Sequence, residues 1–235
     1  MSTSEPEQSY VPGEAARRLF YTDSAGEPCG PDDAIADALD GAWVEREPEA
    51  AALLADETAE PYDRYLALSA LVAWGSPTGY AAVAQAAADP DAVAWKEESI
   101  DRLFSVDNTF ALLAQAVSDS LDMAQERGTT AERIAALTAL LGLADRFYFE
   151  RYLSVQGLLT ADIAELRGPI EEAVRRGLGR VEEAQETGFD LATQVAGLIV
   201  DLGQVDGAAA VAYAHALLAT DPGSRAEREL APVLQ

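Results

Sequence analysis

The sequence predicts an all-α chain built as an array of antiparallel helix pairs. Three observations predict it. Alanine, the residue with the highest helix propensity, occurs 47 times among 235 residues, while the strand formers Val, Ile and Thr are sparse. No stretch alternates apolar and polar residues over the length of a strand. A helix–turn–helix pattern also occurs twice, as ALSALVAWGSPTGYAAVAQAAADP at 67–90 and as VAGLIVDLGQVDGAAAVAYAHALLATDP at 195–222. In each, an apolar helix ends at Gly75 or Gly203, a second glycine (Gly79, Gly207) opens an Ala-rich helix, and Asp89-Pro90 or Asp221-Pro222 stops it. Such units bury their apolar faces by stacking on one another, an architecture that generally binds molecules rather than converting them.

Residues 1–12 are polar, carry two prolines and lack periodicity, so they are expected to form a disordered tail. Residues 13–235 contain no long linker and are expected to form a single all-helical domain. A short helix over 13–20 precedes the loop TDSAGEPCG. Pro31 then opens a helix in the favoured first-turn position, with Asp32 and Asp33 near its positive end. Its apolar face reads Ile35, Ala38, Leu39, Ala42 and Trp43. A short helix follows at about 48–58, and Pro61 begins the first clear pair, 61–74 and 79–88. Proline pushes the preceding residue out of the α region, so Asp89-Pro90 ends that pair. The next pair is expected at about 91–104 and 108–127. Thr129 and Glu132 have capping-box spacing before the apolar run Ile134–Leu143. A helix or helical turn through 145–153, helices at 160–167 and 169–187, the pair 190–202 and 206–219, and a last helix at about 224–231 complete the reading.

Residues 63–90 resemble a HEAT repeat through Asp63-Arg64, Ala67, Ala70-Leu71, Gly75, Val83 and the closing Asp89-Pro90. Residues 133–145 look like a weaker copy, with Arg133, Ala136-Leu137, Leu140 and Asp145. Residues 195–222 look like a third, which lacks the Arg and carries an extra helical turn. The resemblance implies a HEAT-like or degenerate α-solenoid. It implies packing and no chemistry.

Charge and composition restrict the function. Forty-one acidic residues against sixteen basic ones give a net charge of −25, and fifteen of the basic residues are Arg, with Lys96 the single Lys. Such a surface repels nucleic acid and anionic membranes and favours cationic partners. Arg over Lys with abundant Ala is also the usage of a GC-rich, bacterial genome, and acidity then serves solvation. No run of about 18 apolar residues exists to span a membrane. The stretch MSTSEPEQSYVPGE has neither a basic start nor an apolar core, so no secretion signal is read and a cytoplasmic location is expected.

The chain offers little for catalysis. Cys29 and His215 are its sole cysteine and histidine, so neither an internal disulfide nor a Cys/His zinc site is possible. No nucleophile elbow, Walker loop or dinucleotide fingerprint occurs. Asp32, Asp33 and Asp37, with a second row of Asp119, Asp122 and Glu126, have the helical spacing that holds Mg²⁺ against a diphosphate in all-α enzymes. Capping explains the first row equally well, and no metal or other cofactor is assigned.

The acidity concentrates in 31–63, where eleven carboxylates meet Arg46 alone. Asp33, Asp37 and Asp40 form a stripe opposite the Ile35/Leu39/Trp43 face. A solvated surface tolerates their repulsion at about 0.2–0.5 kcal/mol per pair, whereas a cationic partner turns it into steering. The densest aromatic run, Arg146–Tyr152, cannot place every ring inward on one helix. Tyr148 and Tyr152 are its interface candidates and Phe147 or Phe149 its core. Asp33, Asp37, Asp40, Glu57, Tyr148 and Tyr152 are therefore the candidate partner-binding residues. The leading expectation is a non-enzymatic protein-binding scaffold with an acidic surface, in concrete form an immunity or inhibitor protein that masks a cationic protein. The alternatives are a carboxylate/Mg²⁺ enzyme acting on a phosphorylated substrate and an assembly protein that homodimerises through Phe147–Tyr152.

Overall fold

The computed structural model describes residues 10–101, 106–149, 152–153, 158, 160–185 and 187–235. The all-α reading holds. Thirteen α-helices and one 3₁₀ turn account for nearly all regular structure among the described residues, and a four-residue β-ribbon is the remainder. Contacts divide the chain into two compact units, residues 1–67 and 68–235, with the boundary inside a helix rather than at a linker.

The first unit contains α1 (Glu14–Phe20), α2 (Pro31–Asp37), a 3₁₀ turn (Ala38–Asp40), α3 (Trp43–Ala55) and the start of α4 (Pro61–Ala73). Helix α1 packs on α2 and α3 and buries Ala16, Leu19 and Phe20. Arg46 ties these pieces together: its guanidinium donates to the carbonyls of Leu19 (3.1 Å), Thr22 (3.0 Å) and Ala34 (3.3 Å). Arg64 does the same for the end of α3, through the Leu54 carbonyl at 3.1 Å. Of the expected tail, residues 1–9 lie outside the described residues. Tyr10 donates its hydroxyl to Asp63 and sets its ring edge-on to Tyr62 at 4.8 Å, while the Gly13 N–H donates to the same carboxylate at 2.9 Å.

The second unit holds the rest of α4, then α5 (Pro77–Ala88), β1 (Ile100–Asp101), β2 (Val106–Asp107), α6 (Thr109–Asp119), α7 (Leu121–Arg127), α8 (Thr130–Leu141), α9 (Thr160–Glu165), α10 (Arg167–Glu182), α11 (Leu191–Gly203), α12 (Gly207–Leu218) and α13 (Ser224–Leu230). Helix α5 packs on α8, α10 on α11, and α11 on both α12 and α13. Trp74, Tyr80, Phe110, Phe149 and a row of leucines form its core. The two sequence repeats enclose different turns. Gly75 adopts a left-handed φ of +68°, and a Cβ there would meet the Met123 backbone at 2.9 Å; one on Gly79 would meet the Leu71 backbone at 2.8 Å. A Cβ on Gly203 finds ordinary contacts and one on Gly207 finds open space. The glycines of the first copy are therefore steric requirements, and those of the second are not.

Arg133, fully buried on α8, organises the centre of this unit. It donates from Nε to the Val117 carbonyl (2.7 Å), from Nη2 to the Ser118 carbonyl (2.6 Å), and through both Nη atoms to Asp162 on α9 (2.8 Å each). In a continuous helix those two carbonyls would accept the N–H groups of Leu121 and Asp122. Ser120 returns its hydroxyl to the Val117 carbonyl at 2.9 Å and meets the Tyr80 hydroxyl at 2.7 Å. The single helix expected over 108–127 is accordingly two, broken at Ser120.

Four further boundaries differ from expectation. The helix expected at 91–104 is absent over its described part, 91–101, where turns lead into β1, and β1 pairs antiparallel with β2. Residues 102–105 lie outside the described residues. Thr129 does not form a capping box; its hydroxyl donates to the Gly75 carbonyl at 2.9 Å, and no side chain caps α8. Of the helix or helical turn expected through 145–153, residues 145–147 are turn and bend and 148–149 irregular. Gln194, buried on α11, holds it by donating to the carbonyls of Ala144 (2.6 Å) and Phe147 (3.0 Å) and accepting from the Phe149 N–H (2.7 Å). Trp43 opens α3 instead of closing the preceding helix, and Pro48 lies inside α3. No helix among the described residues is long and apolar enough to cross a membrane.

Removing one partner of a buried ion pair leaves the other charge uncompensated, at a cost of about 3–5 kcal/mol. Arg133→Met is therefore expected to lower the unfolding free energy by about that amount, read from urea denaturation of the second unit's tryptophan fluorescence. A loss under about 1 kcal/mol would show that α6, α8 and α9 do not depend on this guanidinium.

Candidate acidic surface and aromatic segment

The acidic region is built on short elements. The loop between α1 and α2 closes on an isolated bridge, Thr22 with Pro28, and on the Cys29 N–H donating to the Tyr21 carbonyl at 3.2 Å. Asp23 folds the loop from inside by accepting the N–H groups of Ala25 (2.9 Å) and Glu27 (2.8 Å). Cys29 is half-buried, and its thiol is pushed up first by burial and then by Asp23 and Asp33. This is the opposite of an activated nucleophile.

The candidate aspartates divide by role. Asp33 lies exposed in the first turn of α2 and Asp40 exposed at the end of the 3₁₀ turn. Asp37, between them, is committed: it accepts the Ser24 N–H at 2.7 Å and the Ser24 hydroxyl at 3.2 Å. The N–H bond first, and the hydroxyl second, hold its carboxyl below the usual carboxylate range. Glu57 is exposed in the turn between α3 and α4, beside an Asp56 that accepts the Thr58 hydroxyl (2.7 Å) and N–H (2.9 Å). Thr58 likewise lowers Asp56.

Leu39 corrects the expected apolar face. It is 40 % exposed, because α2 ends at Asp37 and the chain tightens to a 3₁₀ turn. Three residues per turn rotate Leu39 away from the direction an α-helix would give it. Gly41 then reverses the chain with φ +116°. Helix α3 adds a feature that the sequence reading missed. Val44, Pro48, Ala52 and Ala55 are exposed, with Val44 at 58 %, and their spacing of i, i+4, i+8 and i+11 places them on one outward face. The signal was present in the spacing, but a helix assumed to begin near Pro48 hid it.

The aromatic segment is partly interior. Phe149 is fully buried, and Phe147 stands edge-on to Phe110 at 5.2 Å. Tyr148 is half-buried and meets Phe189 at 6.0 Å; Tyr152 is half-buried in a short turn. Glu150 and Arg151 lie outside the described residues. The structure gives no element common to these tyrosines and the aspartates of α2. Of the proposed metal rows, the second is divided by the break at Ser120, which puts Asp119 on α6 and Asp122 and Glu126 on α7. Among the described residues no group of three or more His, Cys, Asp or Glu is arranged to hold a metal ion. His215 is exposed on α12. The arginines of α10 reach beyond their own helix. Arg176 donates to Asp145 and to the Leu141 carbonyl, both at 3.0 Å, and Arg180 lies 3.9 Å from Asp145.

No known protein family, characterised protein or solved structure matches the chain.

Because Asp37 is lowered in the folded state, its stabilisation is complete above the ordinary carboxylate pKa of about 3.9 and is lost as pH falls through the folded value. Asp37→Asn is expected to destabilise the first unit at pH 6 and to differ less from the parent as pH falls below about 4. Paired denaturation curves between pH 3 and 6 check this. A difference that stays constant over that range removes Asp37 as the titrating lock of the loop.

Proposed function

We propose that this is a non-catalytic, HEAT-like helical protein that binds a cationic protein partner through the acidic surface of residues 31–63, as an inhibitor or immunity-type protein of the cytoplasm would. One observation carries the reading. Arg46, the single basic residue of that region, directs its guanidinium to three backbone carbonyls, while Asp33, Asp40, Glu45, Glu57 and Glu60 of the same region are exposed. The region's own cation is spent on the fold, and from outside the region Arg18 pairs with Glu49. Close helix crossing at Gly79 and the packing of α11 on α12 are compatible with stacked helix pairs. Long-range attraction of a basic partner follows from the residual charge and weakens with salt.

Asp33→Asn, Asp40→Asn and Glu57→Gln together remove three exposed charges and leave the loop lock of Asp37 in place. Retention of a basic protein from native lysate is expected at low salt and to weaken at high salt. The triple variant is expected to lower affinity for that protein by about tenfold at low salt, mainly through the association rate. Mass spectrometry of the retained fraction and titration calorimetry read these outcomes. Equal affinity of parent and triple variant at low salt would reject the acidic surface as the binding face.

A further inference from the structure

We infer that residues 10–13 form a displaceable strap over Asp63, and that the seat beneath it takes one Lys or Arg side chain of a cationic protein partner. The inference rests on the acidic-surface reading and adds its regulation: the strap keeps one part of that surface closed until a cation displaces it. Of the eleven carboxylates in 31–63, Asp63 is the one that is buried, at 2 % exposure. A buried carboxylate is normally paired with a cation, because neutral donors only partly replace the water it has lost. Asp63 has no such pair among the described residues. The neighbouring Arg64 turns to the Leu54 carbonyl. The strap supplies neutral donors instead, the Tyr10 hydroxyl to Oδ1 and the Gly13 N–H to Oδ2 at 2.9 Å.

The strap is shaped for this seat and lightly held. Pro12 favours an extended Val11, and the Tyr10 ring stands edge-on to Tyr62 of α4 at 4.8 Å. Arg17 holds the Pro12 carbonyl at 3.1 Å. Gly13 serves close approach rather than its φ of −61°, which any residue adopts. A Cβ there would come within 2.8 Å of Asp63 Oδ2, the atom that its own N–H binds. Val11 is 66 % and Tyr10 39 % exposed, so lifting the strap uncovers little apolar surface. Burial first, and then the bonds to Asp63 and Tyr21, raise the Tyr10 phenol above its ordinary range, so it stays a neutral donor at physiological pH. An ammonium or guanidinium in its place forms a charge-assisted bond to the same carboxylate. It also arrives beside the Tyr62 ring that Tyr10 now contacts, and a tyrosine ring next to a carboxylate suits a cation.

The test uses the full chain and a fluorescein-labelled octalysine peptide, with anisotropy read at low and at physiological salt. Tyr10→Phe removes the hydroxyl, and Gly13→Ala crowds the carboxylate. Both leave every charge in place and are checked by circular dichroism. Each is expected to bind the peptide about tenfold more tightly than the parent, since a hydrogen bond to a charged group shifts the balance of closed and open strap by about that factor. In an Asp63→Asn background, where the seat has lost its charge, Tyr10→Phe is expected to give no gain. Equal affinity of the parent and both strap variants, or a gain that survives Asp63→Asn, overturns this inference and leaves the acidic-surface reading intact. No salt-sensitive binding of the peptide by any of these forms overturns both.

Discussion

The buried Arg133 guanidinium is the interaction on which the centre of the structure depends. Burying a cation costs several kcal/mol unless it is paired and its N–H groups are satisfied. Here four of its five donors are used, two on Asp162 and two on the carbonyls that end α6. The bidentate pair brings the first turn of α9 to α8. The two carbonyl bonds take the acceptors that a longer α6 would need, and so set where α6 stops and α7 begins. A lysine could not replace it, since an ammonium lacks the planar fork that reaches a carboxylate and two carbonyls at once.

The same use of arginine recurs across the chain. Arg64 reaches the Leu54 carbonyl in the last turn of α3, Arg127 the Trp74 carbonyl just beyond α4, and Arg176 the Leu141 carbonyl at the end of α8. Arg46 reaches the Leu19 carbonyl in the last turn of α1. Helix C-termini leave carbonyls without intrahelical donors and carry partial negative charge, so a cation there satisfies both. This distribution has an electrostatic consequence. Of sixteen basic residues, five reach helix-end carbonyls, Arg176 while also paired with Asp145 and Arg133 with Asp162. Within 31–63 the one such residue is Arg46, and Glu49 there is paired by Arg18 of α1.

What the sequence made legible follows from which forces are local. Helix identity was readable because Ala content and 3.6-residue periodicity act within a few residues. α1, α5, α11 and α12 lie close to their expected bounds, with Asp190 and Asp206 capping the last two. Two of the failures share one cause, a long-range hydrogen bond that overrides a local preference. Ser120 lies in a good helical stretch and breaks it because Arg133 and Tyr80 arrive from elsewhere. Thr129 has the spacing of a capping box, but its hydroxyl serves Gly75, 54 positions away. Among the candidate site residues, the exposure of Asp33, Asp40 and Glu57 was readable from charge. The loop lock of Asp37 was not, because its partner Ser24 precedes it by 13 positions, across a turn.

The chain's two conspicuous features, scarce cations and an apolar outer face on α3, bear on each other. In a strongly acidic protein an exposed apolar row carries a smaller risk of self-association, because like charge keeps copies apart at distances up to roughly a Debye length, about 8 Å at physiological salt. That protection is selective. It does not act against a molecule of opposite sign, which the same field attracts. Steering by charge sets mainly the association rate, whereas burial of apolar side chains sets mainly the lifetime of the complex.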